Sequence, residues 1–89
     1  MKGVNGVTYK EFGEEIKGMK LRYRVFGGVI EVLLKTNDTL VAIVSIKYQY
    51  EGSTFFVSTL NETKRNKLAH VCWELIKTSL DERGIVTLD

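Results

Sequence analysis

The 89-residue chain has no proline and only one cysteine, one histidine and one tryptophan. With Cys72 as its only cysteine, no disulfide can close within it. A lone thiol without a secretory-type opening segment points to a reducing, cytoplasmic setting. Long apolar runs are missing too. Lys or Glu breaks the most apolar windows every few residues, so no segment is suited to span a membrane. The formal net charge is only +2, too small to indicate nucleic acid, and no acidic run imitates one. The absence of proline by itself excludes nothing. Repeats, low-complexity tracts and linkers are also lacking, which leaves a single domain over residues 1–89. A chain of this size buries roughly 60–65% of its unfolded surface, so its core is thin.

What is present begins with a helix signal. In "TYKEFGEEIKGM", Thr8 followed by Glu11 forms a capping box, and Phe12, Ile16 and Met19 make one apolar stripe. Gly13 weakens this helix by about 1 kcal/mol relative to alanine, and Gly18 helps to end it. The stretch "YRVFGGVIEV" then poses a choice between a phosphate-cradling loop and a turn. A two-residue Gly27-Gly28 turn pairs Phe26 with Val29, Val25 with Ile30, Arg24 with Glu31, Tyr23 with Val32 and Leu21 with Leu34. One face is then wholly uncharged, and Arg24 opposes Glu31 on the other. A phosphate loop would lead into a helix, whereas a strand follows here, so the glycines turn the chain.

After the "TNDT" turn, "LVAIVSIKY" is a third strand, apolar on both faces. A two-residue turn puts Val41, Ile43 and Ser45 on the core face and sets Ala42, Val44, Ile46 and Tyr48 beside Arg22, Arg24 and Phe26. A bulge exchanges the two sets. Either way, something must cover the second face. Phe55, Phe56 and Val57 suit a short extra strand or a hydrophobic loop equally. Asn61 caps the longest helix, whose apolar residues from Leu68 to Leu80 cover more than half its girth, and which ends around Arg83-Gly84. "IVTLD" is an extended tail. The order is α-β-β-β-α, an α+β domain with a three-stranded antiparallel meander packed against helices.

The stretches "TYKEFGEEI", "LVAIVS", "LNETKRNKLAHVCWELI" and "TSLDER" together resemble small uncharacterised proteins encoded by phages and prophages of Gram-positive bacteria. Those proteins typically carry proline where this chain has Ser79. The resemblance implies a phage accessory gene working in the host cytoplasm, and brings no catalytic residue or cofactor. Phage proteins of this size include blockers of host defences such as CRISPR nucleases.

His70 and Cys72, two apart on a helix, do not face each other, so no nucleophile–base pair or shared metal is expected. The acidic neighbours Glu14-Glu15 and Asp81-Glu82 are explained by solvation and helix dipoles. Lys20, Arg22 and Arg24 alternate along the first strand, with Lys35 near Lys20 and Phe26 on the same face. This is either an ordinary solvated edge, the favoured reading, or a face for single-stranded nucleic acid. Trp73 is a core anchor or an interface hot spot. The expected function is therefore a non-enzymatic protein-binding module, with no cofactor or metal. It acts through Arg22, Arg24, Phe26, Tyr48 and Trp73 on a host protein, and single-stranded nucleic-acid binding is the alternative. The unclaimed apolar surface also implies a homodimer, formed through the outer sheet face or the Trp73 side of the last helix.

Overall fold

A computed structural model describes residues 6–55 and 57–86 of the chain. It runs through α1 (Tyr9–Gly18), β1 (Leu21–Phe26), β2 (Val29–Leu34), β3 (Leu40–Ser45), β4 (Gly52–Thr54), α2 (Glu62–Ile76) and a 3-10 turn (Leu80–Arg83). The capping box forms as its residue types require. The Thr8 hydroxyl accepts from the Glu11 amide at 3.1 Å, and the Glu11 carboxylate accepts from the Thr8 amide at 2.9 Å. Gly13 has a packing reason. A Cβ there would sit 2.6 Å from the Tyr23 hydroxyl, so glycine lets α1 lie close on β1.

The β1–β2 hairpin pairs from Leu21 with Leu34 to Phe26 with Val29, in the register that the alternation demands. Gly27 and Gly28 both hold positive φ, +63° and +82°, as a tight turn between right-twisted strands needs. Leu21, Ile30, Val32 and Leu34 enter the core.

The β2–β3 pairing settles the two registers of the third strand in favour of the bulge. Val32 faces Ala42 while Leu33 faces Leu40, which leaves Val41 as the extra residue. Val41 and Ala42 are therefore both buried in the core, one after the other, and Val44 joins them. The double apolarity of this strand thus comes largely from the bulge. On its outer face β3 places Leu40, Ile43 and Ser45, opposite Leu33, Glu31 and Val29.

The sheet gains a short fourth strand, in the order β1-β2-β3-β4, and β4 pairs antiparallel with β3. Residue 56 and the tail at 87–89 lie outside the described residues, as does most of the lead-in. Both helices pack on the inner face, α1 over β1 and α2 over β3 and β4, so the domain has two layers.

Helix α2 is capped by Asn61, whose side chain accepts from the Lys64 amide at 2.8 Å. It stops at Ile76, about two turns short of the end that its apolar pattern suggests. The reason is tertiary. The last carbonyls of α2 and its following turn are taken by groups from distant segments. Ile76 accepts from the Tyr50 amide at 2.8 Å, Lys77 from the Gln49 side chain at 2.6 Å, and Thr78 from Arg83 Nε at 3.0 Å. Arg83 is fully buried. Its guanidinium also donates to the carbonyls of Ser45 at 2.7 Å and Ile76 at 3.2 Å, and lies 5.8 Å from the centre of the Tyr9 ring. Ser79 holds φ −61° and ψ 151°, a conformation that proline also adopts.

Two stability predictions follow from these contacts. Gly27→Val and Gly28→Val should each destabilise by more than about 1 kcal/mol, because a β-branched residue is strained at positive φ. A full melting temperature in either variant would contradict the turn. Arg83→Met should cost about 3–5 kcal/mol, since it strands carbonyls in the interior, and Arg83→Lys should not restore the loss, because one ammonium cannot span the three acceptors. Urea unfolding curves within about 1 kcal/mol of wild type would rule out this role for Arg83.

Candidate functional site

The outer face of the sheet carries Arg22, Arg24 and Phe26 from β1, opposite Leu33, Glu31 and Val29 of β2. Strand alternation puts these side chains on the face away from both helices. Phe26, next to the hairpin turn, is 69% exposed. The arginines are held by carboxylates: Arg22 Nε meets Asp38 at 2.7 Å, and Arg24 pairs across the strands with Glu31. Asp38 reaches Arg22 from the β2–β3 turn, where it takes a left-handed φ of 56°. Leu33, between Arg22 and Leu40, is buried on this face. A shallow depression of about 190 Å³ opens beside Val29, Ile43 and Ser53.

The basic stripe is shorter than the alternation suggests. Lys20 precedes β1 with φ 62° and donates its amide to the Lys17 carbonyl, so it belongs to the turn out of α1. The remaining strand cations, Arg22 and Arg24, each face a carboxylate.

The structure does not bring Trp73 to this face, and Tyr48 falls beyond the end of β3. Tyr48 lies in the β3–β4 connection, where its amide donates to the Ser45 hydroxyl at 3.0 Å. Trp73 stands on α2, on the helical side, half exposed, and forms a second surface with Tyr50. Their ring centres are 6.4 Å apart at a 42° tilt. Tyr50 is 67% exposed and held at a left-handed φ of 64° while its amide bonds the Ile76 carbonyl. No sequence signal marks Tyr50 as part of a surface, because its placement depends on that long-range bond. With half its surface exposed, Trp73 is not a core anchor.

A second concavity, about 340 Å³, lies between α1 and α2. Phe12 and Val71 are among its apolar lining, and Glu11, Glu15, His70 and Glu74 among its polar lining. Lys67 approaches Glu15 at 4.0 Å, and His70 approaches Glu74 at 3.9 Å. His70 is exposed while Cys72 on the same helix is buried in the core, so the two side chains serve opposite sides of the helix wall. Among the described residues, no group of three or more His, Cys, Asp or Glu is placed to hold a metal ion, and no helix is long and apolar enough to cross a membrane.

Comparison with known protein families, curated proteins and solved structures finds no match to this chain.

Burial pushes the Cys72 thiol up from 9.0 to about 12. Below about pH 8 the thiol is neutral in both folded and unfolded chain and adds no pH slope. Above that, the unfolded chain releases a proton that the folded chain keeps, so stability falls as pH rises toward 12. Iodoacetamide should therefore label Cys72 at pH 8 only through the opened fraction of the chain, and rapid labelling of the native protein would mean an accessible thiolate.

Proposed function

We propose that this chain is a non-enzymatic protein-binding module, a phage-encoded accessory protein that binds and modulates a host protein in the host cytoplasm. Inhibition of a host defence, of the kind that blocks CRISPR nucleases, falls within that reading. The observation that carries the protein-contact reading is the exposed Phe26 on an open sheet face beside two arginines already matched to carboxylates. Exposed aromatics with arginine are the enriched currency of protein interfaces, whereas a nucleic-acid face needs cations free to meet phosphates. The resemblance in "TYKEFGEEI" and "TSLDER" supplies the phage setting. Self-association belongs to the same reading.

The immobilised protein should capture a defined protein from a Gram-positive host lysate after nuclease treatment. Phe26→Ser and Arg24→Ala should weaken that capture roughly thirtyfold at unchanged melting temperature, the effect of losing a hot-spot side chain. Binding to a labelled oligonucleotide that collapses between about 50 and 200 mM salt, and is lost in the same variants, would replace this reading with the nucleic-acid one.

A further inference from the structure

We propose that the free edge of β4 is a self-pairing surface. On this proposal β4 of one copy adds antiparallel to β4 of a second copy about a two-fold axis at Ser53, with the two α2 helices side by side over the joined sheet. The inference rests on the protein-contact reading and names the partner for the Trp73 side: this chain itself.

The backbone makes the first argument. The Glu51 carbonyl accepts from the Ser45 amide, and the Phe55 amide donates to the Val41 carbonyl, both at 2.9 Å. In an antiparallel ladder these groups alternate, so Glu51, Ser53 and Phe55 turn toward β3. The amides and carbonyls of Gly52 and Thr54 therefore point away from it, on the last strand of the sheet. With Ser53 on a two-fold axis, Gly52 of each copy faces Thr54 of the other, and every outward donor meets an outward acceptor. The occupant must be an extended backbone, and a second β4 has the matching spacing.

The second argument is what the edge lacks. Gly52, Ser53 and Thr54 include no charge and no proline. The opposite edge, β1, carries Arg22 and Arg24 and is preceded by Lys20, the usual protection against edge pairing.

The third is the fit of the helices. Helix α2 lies over β3 and β4 alike. An axis midway between these two strands would put two-fold copies two spacings apart, about 9.6 Å at about 4.8 Å per strand. Packed helices sit about 8–10 Å apart. The flank of α2 on the β4 side carries Arg65, Asn66 and Ala69, with Trp73 one turn beyond Ala69. A groove of about 270 Å³ between Thr54 and Ala69 already opens there. A Cβ at Gly52 would lie 2.8 Å from Ile76, and Thr54 lines the groove with Leu68 and Ala69, so the axis at Ser53 falls near Trp73. The half-exposed Trp73 and its Tyr50 neighbour are then covered by their counterparts.

Sedimentation over a range from about 10 µM to about 1 mM should show a dimer that dissociates on dilution. Thr54→Pro removes only an outward amide and leaves the bonds to β3 in place, a substitution edge strands tolerate. It and Trp73→Glu should each weaken the dimer at least about tenfold, while Phe26→Ser leaves it unchanged. Hydrogen exchange on the unmodified protein gives a readout that needs no variant: the Gly52 and Thr54 amides should become protected as concentration rises. A monomer at 1 mM by order of magnitude, a dimer unmoved by both Thr54→Pro and Trp73→Glu, or Gly52 and Thr54 amides that exchange freely in the dimer would each overturn the proposal. A dimer dissolved by Phe26→Ser would place self-association on the outer sheet face and also overturn it. Host-lysate capture that depends on Phe26 stands or falls separately, because that face lies on the other side of the sheet.

Discussion

Everything in this small domain converges on the buried guanidinium of Arg83. Taking a charged group out of water is expensive, and the expense is met only if its hydrogen bonds are replaced in good geometry. Here the acceptors are main-chain carbonyls from the end of β3, the end of α2 and the turn beyond it, with the face of Tyr9 from α1 nearby. Four segments thus meet at one planar fork. The location suits the charge, because a helix C-terminus presents partial negative charge and unsatisfied carbonyls. Thr78 reinforces the junction by accepting from the Val7 amide at 3.0 Å and donating to the Glu74 carbonyl at 2.6 Å. A thin core of this size gains from such a junction, since it joins segments that apolar packing alone would align only loosely.

The same junction explains where sequence reasoning succeeds and where it stops. The β1–β2 register is legible because two independent constraints agree: a glycine pair that tolerates positive φ, and an alternation that only one register keeps intact. The capping residues Thr8 and Asn61 are legible because they act within four residues of themselves. The end of α2 is not, because apolar spacing continues through Leu80 while the signal that stops the helix comes from Arg83, Gln49 and Tyr50. The register of β3 is likewise undecidable locally, since both candidate faces are apolar. The bulge at Val41 resolves the tie only when the core is assembled.

The candidate surfaces divide along the same line. Alternation identifies which strand residues share a face, so Arg22, Arg24 and Phe26 are grouped correctly from the sequence. It does not say in which layer a helix residue ends, so Trp73 separates from them, and Tyr48 drops into the connection after β3. Tyr50 joins Trp73 through a left-handed turn that nothing in its neighbours announces. The outcome is a two-sided molecule, with one aromatic surface on the sheet and another where the sheet's last strand meets a helix.

The ion pairs on the sheet face have a consequence for approach rather than for contact. A guanidinium with a carboxylate against it is, from a distance, a dipole, and its field dies away faster than that of a bare charge. At physiological ionic strength, screening over about 8 Å removes most of what remains. A molecule drifting toward Arg22 and Arg24 therefore feels little pull until it arrives. Encounter is left to diffusion and orientation, with association rates on the order of 10⁵–10⁶ M⁻¹s⁻¹ and little dependence on salt. For the partner proposed to dock at this face, selection would fall to how long the complex lasts rather than to how quickly it forms.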